Sequence, residues 1–194
     1  MQYFHVDSGY PPANKQLLRV GDTISTSSLS CNPFYEAVTQ NIHKGIGYYR
    51  PPLRLLEWLR SSEPKEVPPE VLHKDMHAVL QASTQLIREM EFENVRRAEF
   101  ADLPSRTRGI WLSDNLVQAK FWQHRVEKSG LIQIVCVEID GAIHRADGGH
   151  LPFDTSSILE LRESAKRYWR GMPHPDQETE YLLEGRMSVV GIVG

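Results

Sequence analysis

Glu180-Tyr-Leu-Leu-Glu-Gly-Arg-Met-Ser-Val-Val-Gly-Ile-Val-Gly194 closes the chain, and its reading decides the fold. Glu180-Tyr-Leu-Leu183 opens a strand-like run, and residues 187–193 read as strand again. Glu178 stands two positions upstream of Glu180. Side chains two apart on a strand point to the same face, so the spacing predicts that both carboxylates line one cleft. Two carboxylates in one site push their pKa values apart; one can act as base or stabilise positive charge while the other holds a substrate group. The competing reading is a solvated turn before a C-terminal strand, because charged residues are usually exposed.

Working back from this run, Ser156 or Ser157 can cap a helix that reaches Arg170, with Gly171 and Pro173 as its stop. Residues 131–139 form the strongest strand in the chain, apolar enough for burial on both faces. Asp140-Gly141 then reads as a turn into a short strand at 142–145. Residues 108–113 read as a strand, and Asp114 or Asn115 can cap the helix that runs to about Lys128. At the N-terminus, residues 2–6 form a strand, 7–12 a turn, and 17–20 a second extended piece. Between these strands, residues 32–105 form a mainly helical insert. Asn32-Pro33 opens one helix, Pro51-Pro52 introduces another at 53–60, and a Pro- and Glu-rich link covers 61–69. Within 79–97, Leu80, Leu86, Ile87, Met90 and Val95 are spaced as the apolar face of an amphipathic helix.

The chain has 194 residues and a formal net charge of −3. That length suits a single domain with one substantial core. The charge gives no overall basic footprint for a phosphate backbone, so nucleic acid is a possible partner that net charge does not indicate. Two cysteines, one within the apolar run at 131–139, argue against a disulfide framework. A cleavable signal and a membrane span of ~18 apolar residues are both missing, which gives a cytoplasmic expectation with no membrane partner. His73 and His77 have helical metal-pair spacing without a matching third ligand, so no metal is expected. Ser25-Thr-Ser27 reads as a loop. The chain lacks a phosphate loop, a Rossmann glycine fingerprint and a nucleophile elbow.

Three segments stand in an informative order: Phe4-His5-Val6-Asp7, then Gly109-Ile-Trp-Leu-Ser-Asp114 leading into a helix, then Glu180-Tyr-Leu-Leu183. Together they resemble the His–Tyr–Glu layout of the ADP-ribosyltransferase superfamily, nearest its poly-ADP-ribose-polymerase-like and diphtheria-toxin-like branch. Arg88-Glu89, Val95-Arg96, Pro104-Ser-Arg106 and Ala165-Lys-Arg-Tyr-Trp-Arg-Gly171 also resemble a bacterial group of uncharacterised proteins associated with that fold. The resemblance covers residues 1–30 and 105–194 and leaves the helical insert unmatched. It implies an α+β fold with a split antiparallel sheet core.

It also implies NAD as the substrate, expulsion of nicotinamide, and transfer of ADP-ribose to a protein, nucleic-acid or small-molecule nucleophile, as in toxins and effectors. The alternatives are NAD hydrolysis, RNA 2′-phosphate transfer on the same fold, or an inactive binding module. Carried over by position, His5 would bond the adenine-side ribose, with a structural histidine as the alternative. Val6 stands where the family has glycine; its backbone would still bond the NAD carboxamide, with less freedom for close approach. Trp111 replaces the stacking tyrosine and offers nicotinamide a larger face, while Ser113 would sit beside that ring. Arg106 would clamp the pyrophosphate bidentately, with Arg19 as a weaker candidate. Glu180 would stabilise the oxocarbenium-like charge and bind the 2′-hydroxyl. Glu178 would orient the acceptor and help deprotonate it. Tyr168 and Trp169 read as core residues.

Overall fold

A computed structural model describes residues 2–8, 17–41, 60, 68–126, 132–152 and 157–193. Most of the expected 53–60 helix and 61–69 link, the turn beyond Ser8, Ser156 and 127–131 lie outside the described residues. The described elements are strands β1 (Tyr3–Asp7) and β2 (Thr23–Ser25), helices α1 (Pro33–Asn41) and α2 (Pro69–Glu99), strand β3 (Ile110–Leu112), helix α3 (Leu116–Val126), strand β4 (Gln133–Asp147), helix α4 (Ile158–Trp169) and strand β5 (Thr179–Val193). This is an α+β fold: the strands form one five-stranded antiparallel sheet, ordered β1-β4-β5-β2, with β3 also paired to β5.

β5 organises the sheet. One edge pairs with β4 along almost its whole length, while the other is shared by β3, opposite 181–183, and β2, opposite 186–188. β1 lies on the far edge of β4, yet Phe4 also bridges Ser113 just beyond β3, with both backbone bonds at 2.8 Å. The sheet therefore curls until its two ends touch. A register shift between Cys136 and Val137 contributes to that curl, since a bulge bends a strand and increases its twist.

The Asp140-Gly141 pair does not make the expected hairpin turn. β4 runs straight through it to Asp147, and Gly141 pairs with Gly185, both at positive φ (+145° and +153°). A Cβ on Gly185 would lie 2.2 Å from the Asp140 carbonyl oxygen, so only glycine permits this close, kinked crossing. Gly185→Ala is expected to cost about 2–4 kcal/mol, read as a lower urea midpoint at unchanged m-value. Wild-type stability in that variant would refute the steric account. The expected extended piece at 17–20 is likewise displaced. Leu18 donates its N–H to Asp7 Oδ2 at 2.8 Å, the chain turns at Val20-Gly21, and the strand forms at 23–25.

Two cores result. Inside the curl, Tyr3, Leu112, Val135, Val137, Leu183 and Met187 pack together. On the other face of β4 and β5, helices α2 and α4 cover Ala146 and Leu182. Helix α4 follows the expected grammar: the Ser157 hydroxyl accepts from Glu160 N–H, Gly171 takes positive φ, and Leu161, Ala165, Tyr168 and Trp169 form one buried stripe. Helix α2 departs from it. Of the expected face, Leu80, Ile87 and Met90 are exposed, Leu86 is half-buried and Val95 is buried, and the buried side also includes Ala82, Arg88, Glu89, Phe92, Glu93 and Arg96. Apolar spacing alone misplaced most of that face because the buried one carries charges that pair inside the protein. No helix among the described residues is long and apolar enough to cross a membrane.

Candidate functional site

The three sequence segments converge at one point of the sheet. β3 and β5 align Ile110 with Leu183, Trp111 with Leu182 and Leu112 with Tyr181; one further step in this register sets Ser113 across from Glu180. Ser113 is itself the residue bridged to Phe4, next to His5. Alternation puts Trp111, Ser113, Glu180 and Leu182 on the helix-covered face. His5 shares the Tyr3 and Asp7 side of β1, and its Nδ1 lies 2.9 Å from the Trp111 carbonyl oxygen. The imidazole is thus engaged with the β3 backbone, and Val6 pairs with Ile134 of β4.

The centre of the site is a buried charge network. Arg106 is 3% exposed, Glu89 1%, Glu180 5% and Tyr168 0%. Arg106 donates from Nε to Glu89 Oε2 at 2.9 Å and from Nη1 to both Glu180 Oε1 and the Tyr168 hydroxyl, each at 2.6 Å. The Tyr168 hydroxyl in turn donates to Glu180 Oε1 at 2.5 Å. Arg88 adds Nε and Nη2 bonds to Glu89 Oε1 at 3.1 and 3.0 Å. The Arg106 guanidinium lies over the rings of Tyr168, Trp111 and Phe92, at 4.8, 5.6 and 5.9 Å from their centroids. Such multiple, charge-assisted bonding is what makes buried ions tolerable.

Burial by itself would raise the Glu89 carboxyl, but the charges and hydrogen bonds of Arg106 and Arg88 outweigh it and hold the group below the usual glutamate value. Burial likewise acts to lower Arg106, and the surrounding anionic partners reverse the sign, so it stays a fixed cation. Burial raises Tyr168 well above the phenol range, which keeps its proton in place as a donor. His144, across the sheet from Leu182, is lowered chiefly by burial; its Nε2 lies 3.4 Å from the Tyr168 carbonyl oxygen.

Local chemistry explains how the network is assembled. Asn32 caps α1 by accepting from Tyr35 N–H, while its Nδ2 donates to the carbonyls of Arg106 and Gly109 at 2.6 and 3.3 Å. One side chain therefore ends a loop and fixes the segment carrying Arg106. A Cβ on Gly109 would meet Leu182 at 2.5 Å, so the loop also needs glycine to approach β5. Asp147, at the end of β4, accepts from the backbone of Gly149, His174 and Glu178 and sets the entry into β5.

These contacts revise one expectation. Arg106 does not present its fork for a pyrophosphate, because buried carboxylates and a phenol take its donors. Of the two C-terminal carboxylates expected to line one cleft, Glu178 precedes β5 and pairs with Arg125 of α3 at 2.6 Å, while Glu180 turns to Arg106 and Tyr168. Trp111 remains half-buried, with its ring edge-to-face against Phe34 at 5.7 Å. Arg19 lies exposed beyond β1, and its N–H donates to Asp22. Glu89 entered the sequence reading only as part of the Arg88-Glu89 pair, with no site role, and Tyr168 was read only as core. The available signal was Glu89 sitting three residues before Phe92 on a helix, a charge in line with a buried aromatic.

The second oxygen of Glu180 differs from the first. No described group donates to Oε2, and among the described residues the only buried side-chain oxygen without a partner is Oε1 of Gln118. The Glu180 side chain keeps 6% of its surface exposed. A separate open groove of about 590 Å³ lies where β2 and β3 leave the edge of β5, lined by Ser25, Thr26, Ser27, Arg108, Glu184 and Arg186 among others. Its arginines are paired, Arg108 with Glu184 and Arg186 with Asp140, so it offers less unmatched charge than its composition suggests. Both described cysteines are free, and no cluster of three metal-ligating side chains occurs among the described residues.

The chain belongs to the DUF2441 family, described as a protein of unknown function, which it matches over residues 3–194. No curated protein matches it.

Proposed function

We propose that the protein cleaves the nicotinamide–ribose bond of NAD and transfers the ADP-ribosyl group to a nucleophile, on an ADP-ribosyltransferase-like split sheet. The observation that carries this reading is the meeting of Phe4-His5, Trp111-Leu-Ser113 and Glu180 at one point, although these residues are far apart in sequence. In the reaction, the bond from the ribose anomeric carbon to the pyridinium nitrogen breaks, and its electron pair leaves with nicotinamide. Glu180, with one oxygen held by two donors and the other receiving none from the described residues, stabilises the oxocarbenium-like charge. The nucleophile then bonds to the anomeric carbon, and its proton passes to a base, the role assigned to Glu178. Trp111 supplies the aromatic face and Ser113 the polar contact for the nicotinamide. With Arg106 enclosed, the phosphate contact falls to Arg19. His5, whose Nδ1 meets the β3 backbone, is assigned the adenine-side ribose.

One observation favours a different class, a sheet scaffold without catalysis: Glu180 is only 5% exposed and forms part of an internal ion network. Calorimetry with NAD separates the two. The catalytic reading expects one site per chain, weakened roughly 5- to 10-fold by Trp111→Ala, the size of a lost aromatic contact. Nicotinamide release from NAD should accompany binding. A folded sample that binds no NAD up to millimolar concentration would exclude the reaction and leave the scaffold.

A further inference from the structure

We infer that Tyr168 and Arg106, the latter anchored by Glu89 of the helical insert, are positioning residues that fix the Glu180 carboxylate by its Oε1 and leave Oε2 to meet the substrate. The inference rests on the NAD-cleaving reading. It assigns the insert a part in the site that the three-segment layout does not contain.

The geometry supports it at each link. Glu180 Oε1 receives two short bonds, from Arg106 Nη1 at 2.6 Å and from the Tyr168 hydroxyl at 2.5 Å. Those donors also bond each other at 2.6 Å, so the three groups form a closed triangle in which no member can rotate alone. Glu89 takes Nε and Nη2 of Arg106, at 2.9 and 3.3 Å, which fixes the plane of the guanidinium. The aromatic rings around that guanidinium exclude water from it. A carboxylate held this way loses its rotational freedom before substrate arrives, so the transition state need not supply the ordering. The same triangle makes the two carboxylate oxygens unequal: Oε1 takes both donors, and Oε2 takes none from the described residues.

Tyr168→Phe removes one donor and keeps the ring that packs against Phe92 and Trp169. Trp169→Phe is its control. It lies on the same helix at the same depth and loses a comparable buried bond, Nε1 to the Phe92 carbonyl oxygen at 2.8 Å, without touching Glu180. Three quantities decide the matter for wild type and both variants: NAD dissociation constant, single-turnover nicotinamide release, and unfolding midpoint. Tyr168→Phe should slow release about 10- to 30-fold with NAD affinity within about twofold, the loss belonging to one hydrogen bond to a charged group. Trp169→Phe should lower the midpoint and keep the release rate within about twofold of wild type. Equal rate losses in both variants, or a wild-type rate in Tyr168→Phe, would overturn the positioning role. Wild-type protein that neither binds nor cleaves NAD would instead sink the reaction it rests on. Positioning is then judged from a crystal structure of Tyr168→Phe: a Glu180 carboxylate in its original rotamer overturns it, and a displaced one supports it.

Discussion

Replacing Glu180 by glutamine is expected to slow nicotinamide release by a factor on the order of 10² to 10³, the usual worth of a preorganised group that stabilises transition-state charge. Glutamine keeps the length of the side chain and still offers an oxygen to Arg106 and Tyr168, so the triangle can persist without its anionic charge. Arg106 remains neutralised by Glu89 at 2.9 Å, which limits the structural cost to about 1–3 kcal/mol. The comparison is made at saturating NAD, with the unfolding midpoint measured alongside. A variant that stays folded and releases nicotinamide at the wild-type rate would end the catalytic assignment of Glu180. Loss of NAD binding with no separate effect on the chemical step would make its carboxylate a binding group only.

The largest stability effect is expected at Arg106. Arg106→Met preserves bulk among the three aromatic rings but removes the cation between Glu89 and Glu180, leaving buried carboxylates with a single nearby arginine, Arg88. Breaking a buried pair in this way costs about 3–5 kcal/mol, a fall in unfolding midpoint on the order of 10 °C for a domain of this size. The pH dependence gives the mechanism. In wild type the Glu89 carboxyl titrates below its ordinary value of 4.5, so its contribution is complete above that pH and disappears as pH falls through the lowered folded value. In the variant the main lowering influence is absent while burial still disfavours the ionised form. Acidification toward pH 4.5 therefore relieves the variant before it harms the wild type, and the stability difference should narrow. A difference that stays constant between pH 7 and 4 would mean that Glu89 ionisation is not coupled to Arg106.

Much of the fold was legible because it depends on local chemistry. The 157–171 segment carries its own start, stripe and stop: Ser157 caps, four buried residues recur at helical spacing, and Gly171 supplies the positive φ. The strands at 2–6, 131–139 and 187–193 were legible from apolar, β-branched runs, and they fall on the sheet strands Tyr3–Asp7, Gln133–Asp147 and Thr179–Val193. What failed was punctuation that a partner strand overrides. Asp140-Gly141 is a turn signal when read alone, yet opposite Gly185 it is a kink within a continuous strand, and no local property of either glycine reveals the other.

The sequence by itself determined an α+β chain, the order of its elements, and the three segments on which a site can be built, since periodicity, caps and turn residues are properties of neighbours along the backbone. Only the tertiary structure decided what those residues do to one another. Arg106 changed from an expected pyrophosphate clamp into the buried partner of Glu89, Glu180 and Tyr168, which lie 17, 74 and 62 positions away. The buried face of α2 was decided the same way, because charges that a periodicity argument assigns to water are stable inside once opposite charges and phenols arrive from other elements. The strength of such a network depends on distance and dielectric, and both are set when the chain closes on itself.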